Sequence, residues 1–198
     1  MKKIELIWRH ILFESVEHRQ LRFQQQELAH LYKISSSTVN AAMAPIRRLG
    51  GVRVDGRGFT VVDYEKILYH WANHRDMEKD IALRMSVHLS VAEIEGQLPP
   101  ASYPTAYTFV RERFGEPPAD YDAVYCYHAD PALVQQRFQS EITLGKPNIF
   151  VLKTDPFLAG YKDRLPLSQV FVDLWNITDW YAKDFIKIIK EAIDGLLS

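Results

Sequence analysis

The sequence predicts an α+β protein built in two parts, and three observations predict it. Residues 26–62 read as a helix, a tight turn, a second helix and then a short hairpin. Residues 1–63 hold ten Lys/Arg and six Asp/Glu, a net +4, whereas residues 64–198 hold fourteen and nineteen, a net −5. The second half alternates helical spacing with short β-branched and aromatic runs, the pattern of helices around a small sheet.

In the first part, Ile4, Ile7, Trp8, Ile11 and Leu12 recur at helical spacing and predict an amphipathic helix over residues 3–14. Glu17-His18-Arg19-Gln20 reads as a loop. Phe23, Leu28 and Leu31 are expected to carry a second helix into the core. Ser35 stands where a serine oxygen caps the orphan N–H groups of a following helix. In that third helix Val39, Ala42, Met43, Ile46 and Leu49 share the expected buried face, and Ser36, Ser37, Asn40, Ala44 and Arg47 the opposite one. Pro45 removes one helical N–H, which predicts a kink or a tightened end within one helix.

Gly50-Gly51 ends the third helix. Val52 and Val54, then Phe59, Val61 and Val62, flank the turn Asp55-Gly56-Arg57-Gly58, a hairpin pattern. Asp63 caps a helix expected from Tyr64 to about Asp80, with Ile67, Leu68 and Trp71 as its apolar stripe. This helix links a first domain, 1–80, to a second, 81–198. A helix-turn-helix followed by a basic hairpin is the layout of a winged helix-turn-helix.

In the second part, Val91–Gly96 reads as a short helix and Thr105–Phe114 as another. Residues 81–89 fit either a strand or the end of the linking helix. Val124-Tyr125-Cys126-Tyr127 and Asn148–Lys153 are strands by β-branched and aromatic content. Pro131–Phe138 and Gln169–Leu174 are expected helices. Thr178 is expected to cap a last helix, Asp179–Leu197, whose Ala182, Phe185, Ile186, Ile189, Ile193 and Leu196 hold helical spacing. The second domain is therefore mixed α/β.

The chain is 47% hydrophobic and 25% charged, enough apolar material for a globular core. No run approaches the roughly 18 uncharged apolar residues of a membrane span, so no membrane partner is expected. Met1-Lys2-Lys3-Ile4-Glu5 opens no long apolar stretch of a secretion signal. Cys126 is the single cysteine, which excludes an internal disulfide and fits a reducing, cytoplasmic setting.

The basic front points to double-stranded DNA as its partner. Ser36, Ser37, Thr38 and Asn40 are small polar residues near a helix start, suited to close approach to bases and phosphates. Asn40 can pair with adenine through two hydrogen bonds, and Arg47 and its neighbour Arg48 can reach phosphate or guanine. Arg53 and Arg57 on the hairpin would grip the backbone or minor groove. A rival use of the same fold is protein contact alone.

His70 and His74 are four apart, a spacing that can chelate a metal on one helix face, but no glutamate stands between them as in metalloproteases. They read as surface histidines, and no metal or cofactor is expected. A polymerase-type nucleotidyltransferase would show Gly-Ser and then two acids one residue apart to hold Mg²⁺; the chain has no Gly-Ser pair. Asp173, Asp179 and Lys183 fall on expected helices rather than at a strand end where a nuclease would carry them. Asp130, Asp155 and Asp173 read as caps of helices or turns, and Tyr125, Tyr127, Phe150 and Trp175 as core. No catalytic residue is assigned.

Several segments together resemble a known family. They are Ser37-Thr38-Val39 with Pro45 in the third helix, Gly58-Phe59-Thr60-Val61-Val62-Asp63 running into Leu68-x-x-Trp71-Ala72, and Tyr127-His128-Ala129-Asp130-Pro131. Asn148-Ile149-Phe150-Val151-Leu152 and Pro166-Leu167-Ser168-Gln169-Val170-Phe171-Val172-Asp173-Leu174 complete the set. The last run resembles the V-Q-x-Y-x-D-L element of AbiEi-like proteins, transcriptional regulators and antitoxins of type IV toxin–antitoxin systems. The resemblance spans nearly the whole chain. It implies an N-terminal winged helix, a nucleotidyltransferase-like but inert C-terminal domain, repression of the protein's own operon, and a cognate toxin as partner. The chain departs from the family at Trp175-Asn176-Ile177-Thr178-Asp179-Trp180, where relatives often carry glycine and arginine.

The expectation is thus a sequence-specific DNA-binding regulator of the AbiEi antitoxin type, with the second domain serving dimerisation or partner contact. The alternatives are a nucleotidyltransferase or nuclease directed to nucleic acid by the winged helix, and a winged-helix regulator that senses a small molecule.

Overall fold

A computed structural model describes residues 1–56, 58–161 and 164–197. The fold is mixed α+β with two sheets, and the chain divides into two compact units. The first holds Met1–Arg75, Pro166–Val172 and Lys190–Ser198; the second holds Asp76–Leu165 and Asp173–Ile189. The boundary at residue 80 expected from sequence thus falls close to the first division, but two later segments return to the first unit.

The first unit starts with α1 (Lys3–Glu17), three residues longer than expected. Ile7, Trp8, Ile11, Leu12 and Val16 are all 1% exposed or less, so the helical spacing does mark a core face. A short strand follows, β1 (Arg22–Gln24), which the sequence did not suggest. Then come α2 (Gln25–Leu31), α3 (Ser36–Arg48), β2 (Val52–Asp55), β3 (Gly58–Val61) and α4 (Tyr64–His74). The three strands form an antiparallel sheet in the order β1-β3-β2.

Three core assignments change. Phe23 belongs to β1, where its ring stacks on Phe59 at 5.5 Å between centroids, and Leu31 is exposed rather than a core residue of α2. Only Leu28 anchors that short helix. Leu49 lies past the last turn of α3 and is also exposed. The linking helix stops at His74, not near Asp80. Arg75 turns to an extended backbone and its buried guanidinium lies 3.5 Å from the buried Glu5 carboxylate, which also accepts from the Trp71 indole at 3.1 Å.

The second unit contains β4 (Ile81–Met85), α5 (Val91–Gln97), β5 (Tyr103–Thr105), α6 (Ala106–Phe114), β6 (Val124–His128), α7 (Pro131–Arg137) and β7 (Ile149–Lys153). Its sheet runs β4-β7-β6-β5, with β6 and β7 parallel and the outer pairs antiparallel. Pro104 sits in β5, an edge strand, where a missing N–H costs no ladder bond. Two helices, α8 (Leu167–Trp175) and α9 (Ala182–Leu197), contribute residues to both units. α9 starts three residues later than the expected Asp179 start.

Alternation along the strands sends Val124, Cys126, Ile149 and Val151 to one face, where they join Ile94, Val134 and Phe138 in a core cluster. Tyr125 and Tyr127 take the other face. Tyr125 stacks on Phe150 of the neighbouring strand at 4.5 Å, and Phe185 of α9 meets Tyr107 of α6 edge-on at 4.7 Å. Trp175, expected in the core, is 40% exposed.

Asp130 and Asp155 cap as expected: Asp130 accepts from Ala132 at 3.0 Å, and Asp155 from Phe157 at 3.0 Å. Asp173 does not cap. It is fully buried within α8 and accepts from Thr105 Oγ1 at 2.8 Å and Tyr127 Oη at 2.9 Å. The pair His70 and His74, expected on the surface, is half-buried. Both rings stand edge-on to buried Trp8, at 4.7 and 5.1 Å. No described helix is long and apolar enough to cross a membrane.

Candidate nucleic-acid interface

α2, the turn after it and α3 are built by local chemistry. Tyr32 N–H bonds back to Leu28 O and Ile34 N–H to Ala29 O, and Lys33 takes a positive φ of 51° to make the bend. Ser35 then caps α3 in extended backbone, its Oγ accepting from Thr38 N–H at 3.2 Å. The same oxygen lies 2.7 Å from Ser37 Oγ and 2.9 Å from Thr38 Oγ1. The helix start is therefore a cluster of three hydroxyls around one cap.

α3 ends as cleanly as it begins. Gly51 N–H bonds to Ile46 O at 2.8 Å and Gly50 N–H to Arg47 O at 3.0 Å, the paired bonds of a Schellman end. Gly50 supplies the positive φ of 75° that this end needs. Pro45 lies inside a continuous helix, as the sequence led us to expect.

The two faces of α3 differ sharply. Val39, Ala42, Met43 and Ile46 are buried, and Ser36, Ser37, Asn40, Ala41, Ala44, Arg47 and Arg48 are exposed. Ser37, Asn40, Ala44 and Arg47 fall at steps of three and four, which places them on one stripe. The helix is about 20 Å long at 1.5 Å per residue, and the centre of its open face carries nothing bulkier than asparagine. Thr38 is half-buried against the cap rather than fully on that stripe. Asn40 has no hydrogen-bond partner, and Arg47 and Arg48 no ion-pair partner, among the described residues.

The small sheet adds a second basic feature. Thr60 of β3 is the register partner of both Arg22 on β1 and Arg53 on β2. Directly paired residues share a face, so Arg22, Thr60 and Arg53 form one row across three strands, about 10 Å long at the usual strand spacing. Arg53 is exposed without an ion-pair partner among the described residues; Arg22 makes one loose pair with Asp55 at 3.7 Å. Arg22 escaped the sequence reading because a three-residue strand shows no alternation. Gly58 explains how β1 can lie there: a Cβ at that position would come within 2.5 Å of Phe23 O. Arg57, the other expected hairpin arginine, lies outside the described residues.

Helix α3 is held from beneath by Trp8, whose indole N–H donates to Ala42 O at 2.9 Å. The pKa of His70 in α4 is held below its ordinary value, first by burial and then by His74 and Arg48.

No protein-family model matches the chain, and neither a curated protein nor a solved structure matches it significantly.

Proposed function

We propose that the first unit is a winged helix-turn-helix that binds double-stranded DNA, and that the protein is a sequence-specific transcriptional regulator. The observation that carries this reading is the open face of α3. It is small and polar at its centre, ends in two arginines with no ion-pair partner among the described residues, and belongs to a unit whose sheet presents the Arg22–Thr60–Arg53 row. In this reading α3 enters the major groove, Asn40 contacts a base edge, and Arg47 and Arg48 contact phosphate or guanine. Arg22 and Arg53 neutralise backbone phosphates, which supplies affinity without sequence information.

The element order helix, strand, helix, helix and two-stranded hairpin supports the winged-helix reading. The resemblance of the Pro166–Leu174 run and its companions to AbiEi-like proteins supports the narrower one: an autorepressing antitoxin of a type IV toxin–antitoxin system, with a cognate toxin as protein partner. The second unit then has a nucleotidyltransferase-like shape and no catalysis of its own. The missing Gly-Ser and acid pair supports that assignment.

Selection of duplexes from a random pool by the full-length protein, followed by anisotropy titration of the winners, tests the reading. Enrichment of one sequence supports it; recovery of an unenriched pool removes the regulator.

A further inference from the structure

β5 and one face of α6 border a cavity of about 270 Å³ within the second unit. Phe109, Glu112 and Arg113 reach it together because they stand at steps of three and four along α6. Phe109 and Leu165, 6% and 2% exposed, provide an apolar base, and Tyr103 of β5 adds an aromatic wall. Arg113 and Arg164 line the same cavity.

The arginines of this unit sort into two groups. Arg84 pairs with Glu78, Arg111 pairs with Glu95, and Arg137 donates to Gln97 O. Arg113 and Arg164 have no ion-pair or hydrogen-bond partner among the described residues. The two guanidinium groups of the unit that have no partner among the described residues therefore border one cavity. Two guanidinium groups on one cavity give it positive charge, and a guanidinium fork matches a carboxylate or phosphate. Glu112, the acid among the described lining residues, has its carboxyl pushed up by burial first and by Glu95 second, against Arg111.

We propose that this cavity binds a small organic anion: a flat apolar body seated on Phe109 and Leu165, with a carboxylate or phosphate held by Arg113 and Arg164. The volume, just below the roughly 300 Å³ at which ligand sites usually begin, suits a single ring or a partly exposed mononucleotide. This goes beyond DNA binding and does not depend on it, since every lining residue belongs to the second unit.

Calorimetric titration of the full-length protein at fixed ionic strength tests it with benzoate, phenyl phosphate and AMP, beside the uncharged benzyl alcohol and adenosine. Saturable binding of at least one anion is expected, with its uncharged counterpart at least about tenfold weaker. Benzoate against phenyl phosphate tells which anionic group is preferred. Arg113→Ala combined with Arg164→Ala should weaken binding about tenfold or more, with the melting curve unchanged because both side chains are exposed. Arg113→Lys combined with Arg164→Lys should recover only part of it, because the bidentate fork is lost. The proposal is overturned if none of the three anions binds saturably, if the uncharged counterparts bind as well, or if the double alanine variant binds like the parent.

Discussion

The indole of Trp8 donates a hydrogen bond to the carbonyl oxygen of Ala42, 34 residues away, at 2.9 Å. The same ring receives His70 and His74 of α4 edge-on. One buried side chain of α1 therefore fixes both α3 and α4, and the open face of α3 is aimed by contacts on its closed face. Trp8→Phe removes the donor and leaves a small void. A loss of roughly 1–3 kcal/mol is expected, read as a drop of about 2–4 °C in melting temperature per kcal/mol for a chain of this size. An unaltered melting curve would mean that Trp8 does not hold α3.

The stability of the first unit should fall with acid in a window set by its histidines. Burial is the largest influence on both His10 and His70 and lowers each from the ordinary 6.5. The unfolded chain then binds more protons than the folded one between the lowered values and 6.5, so stability rises with pH across that window and levels off above it. Urea melts of the full-length protein from pH 5 to pH 8 should show this slope, and His70→Gln should flatten it. The same slope in parent and variant would remove His70 as a contributor.

Asn40 should act on specificity rather than on affinity in general. Asn40→Ala is expected to cost about 1–3 kcal/mol on a selected duplex and little on random DNA. Competition anisotropy with both DNAs reads the difference. Equal losses on the two would reduce Asn40 to a positioning contact.

Asp173 is expected to matter for folding of the second unit. Its carboxylate oxygens accept from Thr105 and Tyr127 with no exposure to water. Asp173→Ala removes the acceptor of both buried hydroxyl groups, an expected loss of about 2–4 kcal/mol. Chemical denaturation of the full-length variant checks it, and a change below about 0.5 kcal/mol would contradict the buried-acceptor role.

The long amphipathic helices and the two inner strands of the second sheet were legible in the sequence, because periodic burial leaves a periodic pattern. Ile7, Trp8 and Ile11 announce α1; Val39, Met43 and Ile46 announce α3. What escaped was short or remote. β1 and β5 are three residues each, too short to alternate, and with β1 went Arg22 and the true place of Phe23. The helix after Asp63 ends short of its expected length because Met77–Asp80 is a 3-10 turn whose mostly charged residues resemble further helix. Membership of the units was hidden for another reason. Arg9 meets Gln169 at 3.1 Å and Leu167 N–H bonds to Glu17 at 2.9 Å, contacts 160 and 150 residues apart that leave no local trace. A fragment of residues 1–80 would lack these partners, so the DNA measurements call for the full-length chain.

The most direct test of the DNA-binding reading is the salt dependence of full-length protein binding to a fluorescent duplex, with and without the basic residues of the candidate interface. Each neutralised phosphate contributes about 0.9 to the slope of log affinity against log salt. With Arg22, Arg47, Arg48 and Arg53 in contact, a slope of roughly −4 is expected for the parent. Replacing Arg22 and Arg53 with Ala should shallow it by about 2 and weaken selected and random DNA alike. Absence of binding in low salt, or a parent slope near zero, or a slope that the double substitution leaves untouched, would contradict the account.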